Sequence, residues 1–289
     1  MTTAAEWLQG ARPRTLPAAA APVLVGTGAA AQIDGFALVP AILALGVALA
    51  LQVGVNYAND YSDGVRGTDL DRVGPLRLTA TGTAPPSHVK AAAIGAFGLG
   101  ALLGLVLVVI TGHWWLLAVG AASIAAGWYY TGGRSPYGYR GLGEVFVFVF
   151  FGLVATAGTT YVQAGTVPWT AWLGAVGIGL IACAILMANN IRDIPTDVVA
   201  GKRTLAVRLG DSKARRAYLA GILLPIPLAA VCAAVAPWSL LTLLLLAPAA
   251  MLSVTVVAGA RGRALVPVLA GTGVYELAYG VLLGVGLAL

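Results

Sequence analysis

Nine long runs of apolar residues constrain this chain more than any other feature of its sequence. A helix needs about 20 mostly apolar residues to cross a lipid bilayer. The runs lie at about 17–33, 38–58, 91–110, 114–131, 145–162, 170–188, 217–235, 239–260 and 264–288. They do not alternate polar with apolar residues, which is the pattern of a membrane β-barrel. The sequence therefore predicts an all-α membrane protein with nine transmembrane helices.

The composition indicates that the chain lies in a membrane and argues against nucleic acid as a partner. Apolar residues make up 59% of the chain and charged residues only 10%, whereas about a quarter of a soluble domain is charged. The net charge of +6 would favour nucleic acid as a partner of a soluble protein. We expect no nucleic-acid binding here, because no basic aromatic module is present. Residues 1–289 are expected to form a single transmembrane domain in the lipid bilayer.

The cations indicate how the helices are oriented. All 17 Lys and Arg residues precede the first run or follow the second, fourth, sixth and eighth runs. The opposite segments, near Asp34, His113, Gln163 and Pro237, contain none. Because cytoplasmic loops are enriched in Lys and Arg, this pattern predicts a cytoplasmic N-terminus and an external C-terminus in a cell membrane. It also supports the count of nine, since one span more or fewer would scatter the cations.

The first acidic segment lies at the end of the second apolar run. Asn56, Asp60 and Asp63 are spaced i, i+4 and i+7, and Asn59 is their neighbour. If the second helix continues to this point, the three residues at that spacing share one helical face. The segment therefore predicts a cluster of carboxylate and amide oxygens at the cytoplasmic end of a span.

Two long cytoplasmic loops are expected, at about 59–90 and 189–216. Gly64 and Gly67 are expected to break the helix of the first segment, so that Asp69 lies in the loop that follows. Long loops in compact proteins tend to be functional or disordered. Because these two contain most of the acidic residues, we interpret them as functional.

The second acidic segment follows the sixth run. Asn189, Asp193 and Asp197 are spaced i, i+4 and i+8, which again places them on one face of a helix. Pro195 interrupts this pattern, because a proline inside a helix removes a hydrogen bond. The helix either kinks at Pro195 or ends just before it and restarts with Pro195 in a first turn.

This pattern has a chemical interpretation. Carboxylates one turn apart repel one another, at a greater cost near a membrane than in water. Mg²⁺ removes that cost, and it prefers one or two carboxylates together with water and phosphate oxygens. Two such segments facing each other can hold a diphosphate, with Arg192, Lys202 and Arg203 adding cationic contacts. The alternative is a set of solvated loop charges that pair with neighbouring Arg and Lys residues.

The motifs resemble those of the intramembrane aromatic prenyltransferase (UbiA-type) family, which has two Asp-rich motifs after its second and sixth helices. The stretches that carry the resemblance are ARPRTLP (11–17), NYANDYSDGVRGTD (56–69), DRVGPLRLTATG (71–82), YYTGGRSPYGYRGLGEVFVFVFFG (129–152) and NNIRDIPTDVVAGKRTLAVRLG (189–210). They occur in order over most of the chain. Within the family, the branch that prenylates 1,4-dihydroxy-2-naphthoate for menaquinone is the most similar.

The resemblance implies nine helices around a lipid-open cavity with cytoplasmic cap loops. It implies Mg²⁺ as cofactor, a polyprenyl diphosphate as donor and 1,4-dihydroxy-2-naphthoate as acceptor, with loss of carbon dioxide. Carried over residue by residue, it gives Asn59, Asp60, Asp63, Asp69, Asn189, Asp193 and Asp197 as metal ligands and Arg192 and Lys202 as neighbours of the diphosphate. The sequence departs from the family pattern at Pro195 and in the spacing of the first acids. That spacing favours the naphthoate branch and leaves the role of Asp69 open.

Several further residues have two interpretations each. Glu144 begins the fifth span, where it either orients the acceptor or interacts with the helix dipole. Glu276 lies within the last span, where it either hydrogen-bonds between helices or lines the cavity. Arg12 and Arg14 precede the first span and either anchor the topology or bind the acceptor carboxylate.

Tyr130 and Arg134 lie on the same side as the acidic segments. The Tyr130 ring could stabilise a cation, yet tyrosine is common at membrane interfaces. Two other functions stay open for the chain as a whole. One is another aromatic prenyl or phytyl transferase, and the other is a cation-coupled transporter. Transporters usually bind substrate near the bilayer midplane, whereas these acids cluster at the cytoplasmic ends.

Overall fold

A computed structural model describes residues 2–67 and 76–289, so Asp69 lies outside the described residues. Its elements are a short helix, α1 (Ala4–Ala11), two 3-10 segments (Pro13–Thr15 and Tyr137–Arg140) and nine longer helices. These are α2 (Leu16–Gln32), α3 (Leu38–Arg66), α4 (Pro86–Thr111), α5 (Leu116–Tyr129), α6 (Gly143–Ala164), α7 (Trp169–Val199), α8 (Leu205–Ala234), α9 (Pro237–Val257) and α10 (Gly262–Ala288). Seven of them are long and apolar enough to cross a membrane, and α2 and α5 are shorter, with 17 and 14 residues.

The predicted all-α fold with nine long helices is confirmed over the described part of the chain, but the two acidic segments are not loops. Helix α3 runs through the first segment and ends where Gly67 adopts a left-handed conformation (φ 71°), so Gly64 lies inside it. Helix α7 runs through the second segment and continues past Pro195. The loop predictions were wrong because the last turns of α3 and α7 are polar. Their low hydropathy ends the apolar run, although the backbone continues as a helix. Both motifs therefore stand on the ends of helices.

Small residues allow α2 and α10 to pack closely. A Cβ atom on Gly28 would overlap the carbonyl oxygen of Gly284, and one on Gly280 would lie 2.8 Å from the Cα of Ala21. Close backbone approach at small residues is the usual packing mode of membrane helices. This contact holds the N-terminal part of the chain against the last helix.

A π-helical segment, Phe148–Val154, interrupts α6. It lies against α7, where a Cβ on Gly152 would be 2.6 Å from the Cα of Gly179. Short π segments in α-helices are often found at functional sites. Several of its side chains line the cavity described below.

The interface between α8 and α10 is apolar, and tyrosine hydroxyl groups within it are hydrogen-bonded. The Tyr218 hydroxyl lies 2.8 Å from that of Thr272, and the Tyr275 hydroxyl donates to the carbonyl of Ile222 at 2.8 Å. Glu276 is fully buried beside them, and its carboxylate oxygens have no hydrogen-bond partner among the described residues. Neither expectation for Glu276 is met, because it does not bridge helices by a hydrogen bond and is not among the residues that line the cavity.

Candidate active site

A cavity of about 1700 Å³ lies between the helices and has two chemically different ends. One end is formed by polar side chains of α3 and α7. The other end is formed by small and aliphatic residues, among them Ala48, Gly104, Leu107, Leu117 and Val162. Apolar clefts with a few fixed polar groups are typical ligand sites. This cavity suits an amphipathic ligand with a long apolar tail.

The first half-site consists of Asn56, Asn59 and Asp63 on α3, all of them buried and all lining the cavity. Their spacing of three and four residues places them on one helical face, as the sequence predicts for Asn56 and Asp63. The Thr131 hydroxyl donates to the Oδ1 of Asn59 at 2.8 Å. This bond leaves the oxygen of Asn59 fixed at the cavity wall.

Residues distant in sequence surround the Asp63 carboxylate. The Tyr139 hydroxyl donates a short hydrogen bond to it. The Nη2 of Arg77 lies 3.8 Å from one carboxylate oxygen, and the Nζ of Lys202 lies 4.0 Å from the other. Two cations and a hydroxyl thus compensate a carboxylate that is only 4% exposed.

Asp60 lies one helical turn after Asn56 on α3, but its carboxylate does not reach the cavity. Its two carboxylate oxygens accept hydrogen bonds from the backbone amides of Leu78 and Thr79, at 2.8 and 2.9 Å. It is fully buried and is not among the residues that line the cavity. The helix continues through this segment, as the shared spacing of Asn56, Asp60 and Asp63 requires, but the Asp60 carboxylate is bonded by the following loop instead of lining the cavity. Its assignment as a catalytic metal ligand has no geometric support here.

The second half-site consists of Asn189, Arg192, Asp193 and Asp197 on α7, and all four line the cavity. The Nε and Nη2 of Arg192 donate to the two carboxylate oxygens of Asp193, at 2.6 and 2.7 Å. The Nη2 of Arg192 also donates to the Oδ1 of Asn189 at 2.8 Å. The Thr204 hydroxyl donates to Asp197 at 3.3 Å. The helix that continues past Pro195 thus keeps Asp193 and Asp197 on one face.

Tyr139 connects the two half-sites, and sequence reasoning missed it. Its hydroxyl donates to Asp63, and its carbonyl oxygen accepts from the backbone amide of Arg203 at 2.8 Å. The Nζ of Lys202 lies 4.5 Å from the centre of its ring, within the range of a cation–π contact. Thr131 and Arg77 were missed as well. Tyr139 and Arg77 both occur in stretches that carry the family resemblance, 71–82 and 129–152, which was the available signal.

The remaining candidate residues divide into those at the cavity and those away from it. Tyr130, Lys202, Arg12 and Arg14 line the cavity. Arg12 also adopts a left-handed backbone conformation (φ 54°), which is uncommon outside glycine. The cavity does not include Arg134, Arg203 or Glu144 in its lining, and the first two are exposed.

Glu144 contacts a residue that lines the cavity. It is buried behind the cavity wall, and its Oε1 accepts a hydrogen bond from Asn190 at 3.0 Å. Asn190 itself lines the cavity. Glu144 does not line the cavity, and it lies in the first turn of α6, where the helix dipole favours an acidic residue. The hydrogen bond gives Glu144 the position of a residue that orients Asn190.

An aromatic wall adjoins the polar end. Tyr130 and Tyr137 meet edge to face with ring centres 5.6 Å apart, and Tyr137 stacks on Phe146 at 4.0 Å. Phe150 continues the row beyond Phe146 at 6.1 Å. The Tyr137 hydroxyl donates to the Ala126 carbonyl at 2.8 Å, and burial raises its pKa above the ordinary value. Tyr137 therefore stays a neutral phenol at physiological pH, and the wall presents uncharged rings to the cavity.

The donor set at the polar end fits Mg²⁺. Three carboxylates, of Asp63, Asp193 and Asp197, line the same cavity as the amide groups of Asn59 and Asn189. These are hard oxygen donors, which Mg²⁺ prefers over nitrogen or sulfur. In the described parts of the chain, no three Asp, Glu, His or Cys side chains form a ready metal cage. The arrangement suits an ion that takes one or two carboxylates from each side and completes its shell with water and ligand oxygens.

A membrane-embedded helical fold with hard oxygen donors and cations at one end of an apolar cavity defines an enzyme class that handles anionic, long-tailed substrates. The model of the UbiA prenyltransferase family matches residues 19–286. The chain therefore belongs to the UbiA prenyltransferase family, and it is a multi-pass membrane prenyltransferase rather than a transporter.

Two curated relatives are similar over most of the chain. The 1,4-dihydroxy-2-naphthoate octaprenyltransferase of Mycobacterium tuberculosis is 51% identical over 279 residues, which cover 96% of this chain and 95% of the relative. The protein of the same name from Escherichia coli is 44% identical and covers 73% of this chain and 70% of the relative.

Solved structures agree with the fold. A UbiA homolog from Archaeoglobus fulgidus bound to GPP and Mg²⁺ has a TM-score of 0.67 and 15% identity, covering 95% of this chain and 98% of that one. The apo UbiA homolog from Aeropyrum pernix has a TM-score of 0.69 and 17% identity, covering 93% and 96%. At this identity the likeness supports the fold alone.

Proposed function

We propose that this chain transfers a polyprenyl group from a polyprenyl diphosphate to 1,4-dihydroxy-2-naphthoate, releasing diphosphate and carbon dioxide and giving demethylmenaquinol. The observation that carries the proposal is the cavity. Asp63 of one helix and Asp193 and Asp197 of another line its polar end together with the cations Arg77, Arg192 and Lys202. The octaprenyltransferase relatives supply the acceptor class.

The polar end suits the diphosphate of the donor. Asn59, Asp63, Asn189, Asp193 and Asp197 would hold Mg²⁺, which supplies positive charge that stabilises the leaving diphosphate. Arg192 is already paired with Asp193, so it contributes charge next to the phosphates while it fixes that carboxylate. Lys202 lies against the Tyr139 ring and points its charge toward Asp63. Fixed cations of this kind need no reorganisation when negative charge develops on the leaving group.

The apolar end suits the polyprenyl chain, and the aromatic wall suits the carbon that reacts. The bond between the first prenyl carbon and the diphosphate oxygen breaks, and its electron pair leaves with the diphosphate. Positive charge then develops on the allylic carbon, where the rings of Tyr130 and Phe146 can stabilise it. The ring carbon of the acceptor that carries the carboxylate forms the new bond, and carbon dioxide departs from that carbon. The electron pair of the lost carboxyl bond restores the aromatic ring.

The acceptor carboxylate has candidate partners at the cavity edge. Arg12 and Arg14 line the cavity beside Gln9 and Thr15. Asn56 holds this N-terminal segment, because its amide donates to the carbonyl of Ala11 at 2.8 Å and to the Thr15 hydroxyl at 2.9 Å. Arginine binds carboxylates bidentately, so Arg12 and Arg14 are proposed to hold the acceptor. The same proposal places the N-terminus and the polar end of the cavity on the cytoplasmic side of the cell membrane.

A membrane assay tests the function. Purified protein in lipid nanodiscs is given a polyprenyl diphosphate and 1,4-dihydroxy-2-naphthoate labelled in its carboxyl group, with Mg²⁺ or with excess chelator. We expect Mg²⁺-dependent formation of a prenylated naphthoquinol with one labelled carbon dioxide released per transfer. An acceptor without the carboxyl group serves as the control for the coupled decarboxylation. Prenylation of an unrelated phenolic acid in preference to the naphthoate, or full turnover in chelator, would contradict the proposal.

A further inference from the structure

Asp60 belongs to the first acidic segment, yet its environment is that of a structural anchor. Both of its carboxylate oxygens accept backbone hydrogen bonds, from Leu78 at 2.8 Å and from Thr79 at 2.9 Å. The side chain is fully buried. Hydrogen bonds from amides to a carboxylate are stronger than those between neutral groups. Each oxygen keeps a second lone pair, but the side chain is buried away from the cavity that the other acids line.

The next turn of α3 after Asp60 also contacts the segment that contains Leu78 and Thr79. Gly64 follows Asp60 by four residues and therefore lies on the same face of α3. A Cβ atom on Gly64 would lie 2.5 Å from both the Cβ and the Cγ2 of Thr79, and 3.1 Å from the backbone nitrogen of Ala80. The turn at residues 78–80 is thus seated directly on the backbone of α3. Asp60 and Gly64 together form a docking surface for this turn.

The far side of the same turn is packed as well. Leu78 is fully buried, and a Cβ on Gly10 of α1 would lie 2.6 Å from its Cδ1. The turn is closed by hydrogen bonds from the Thr81 amide to the Arg77 carbonyl at 3.0 Å and from the Ala84 amide to the Leu78 carbonyl at 3.0 Å. The backbone next to Arg77 is therefore held from both sides.

Arg77 is the functional group that this docking positions. It is 7% exposed, it lines the cavity, and its Nη2 lies 3.8 Å from Asp63. It precedes Leu78 directly, so the two amide bonds to Asp60 fix the backbone on which the Arg77 side chain stands. Arg77 is the cation that the 76–85 segment contributes to the polar end of the cavity.

We infer that Asp60 is a positioning residue rather than a metal ligand: with Gly64 it docks the turn at residues 78–80 and thereby holds Arg77 where it binds the diphosphate of the substrate. The part that concerns the diphosphate rests on the proposed function. The docking itself rests only on the hydrogen bonds and the close approach at Gly64. The two parts are tested by separate measurements.

The docking is tested without metal or substrate. Hydrogen exchange of the peptide that contains residues 76–85 is compared in the wild type, Asp60→Asn, Gly64→Ala and Gly98→Ala. An asparagine can accept only one of the two amide bonds, and an added methyl group at Gly64 displaces Thr79. We expect exchange in this peptide to become at least about tenfold faster in both variants, as for the loss of a charged hydrogen bond. Gly98→Ala is the matched control, because its Cβ would meet nothing within 4 Å. Unchanged protection in both variants would overturn the docking.

The role toward the diphosphate is tested by calorimetric titration of inorganic diphosphate in the presence of Mg²⁺. We expect Asp60→Asn, Gly64→Ala and Arg77→Gln each to weaken binding about tenfold, and the double variant Asp60→Asn/Arg77→Gln to be no weaker than Arg77→Gln alone. Multiplicative losses in the double variant would show that Asp60 acts independently of Arg77 and would overturn the inference.

The Mg²⁺ dependence of prenyl transfer separates positioning from metal binding. We expect the Mg²⁺ concentration for half-maximal activity to stay within twofold of the wild type in Asp60→Asn and to rise in Asp63→Asn. A rise of the same size in Asp60→Asn would make Asp60 a metal ligand. If Asp60→Asn does not fold, Gly64→Ala carries the same three measurements, since alanine is otherwise favoured in a helix. If the proposed acceptor is wrong, hydrogen exchange and diphosphate binding still decide the inference.

Discussion

The two half-sites are built in different ways, although each has an asparagine followed by an aspartate one helical turn later. The second half-site is local: Asp193 is bonded by its neighbour Arg192, and Asp197 by Thr204, seven residues away. The first half-site is assembled from distant segments. Its Asp63 is bonded by Tyr139, and its Asn59 by Thr131, both more than 70 residues away.

The difference teaches that the described contacts of the second half-site come from its own helix and the turn after it, whereas those of the first come from segments that are distant in the sequence. A local site forms as soon as its helix forms, whereas a site assembled from distant segments also needs correct tertiary packing. The geometry of the first half-site can therefore change when the segments that contain Tyr139 and Arg77 move. The described contacts of Asp193 and Asp197 come from α7 and from the turn that follows it.

The largest effect is expected when the local pair is broken. Asp193→Asn removes a proposed metal ligand and leaves the buried Arg192 without its charged partner. We expect prenyl transfer to fall at least about 100-fold, and the free energy of unfolding to fall by about 3 kcal/mol because a buried cation loses its partner. Activity assays and thermal unfolding in detergent measure the two effects.

The double variant Arg192→Gln/Asp193→Asn is the control for the local pair. It removes both charges, so we expect stability to recover by more than half while activity stays lost. Equal instability in the single and double variants would mean that Arg192 and Asp193 do not stabilise each other as a charged pair.

The second largest effect concerns the assembled half-site. Tyr139→Phe keeps the ring beneath Lys202 and removes the hydroxyl that donates to Asp63. Loss of a hydrogen bond to a charged group costs about 1.5–3 kcal/mol, so we expect kcat/KM to fall about 10- to 100-fold. Tyr129→Phe is the matched control, because Tyr129 is 56% exposed and adjoins the same segment. Steady-state kinetics measure the effect. Equal kcat/KM values for Tyr139→Phe and the control would contradict the dependence of the first half-site on a distant side chain.

A smaller effect is expected one contact further from the acids. Thr131→Val removes the hydroxyl that fixes the Oδ1 of Asn59, a bond between neutral groups worth about 1 kcal/mol. We expect kcat/KM to fall about fivefold, with a shift of the Mg²⁺ requirement in the same direction. Thr111→Val is the control, since its hydroxyl bonds to the Leu107 carbonyl within α4. A larger loss than in Tyr139→Phe would reverse the order of importance within this half-site.

The same difference explains how much could be predicted from the sequence. Hydropathy gave the nine helices, and i, i+4 spacing placed Asp193 and Asp197 on one face, because both signals are local. Spacing alone could not show that Asp60 faces the turn at Leu78 or that Tyr139 reaches Asp63. Those contacts depend on how separate segments pack, and no periodicity in one segment encodes the position of another. The π segment in α6 escaped prediction for a similar reason, since its apolar residues also fit an ordinary helix.

The smallest effect is expected at Pro195, where the local half-site can be tested against its own helix. Proline has no N–H to donate within a helix, yet α7 runs on from Pro195 to Val199 with Asp193 and Asp197 both at the cavity. Pro195→Ala should restore a helical hydrogen bond and raise the free energy of unfolding by about 1 kcal/mol. Activity should change by less than about twofold, because a regular helix keeps residues 193 and 197 on the same face. If Pro195→Ala were instead more stable and tenfold less active, the local geometry would depend on the distortion that proline introduces. The geometry of the second half-site would then depend on its distorted backbone, as the geometry of the first depends on distant side chains.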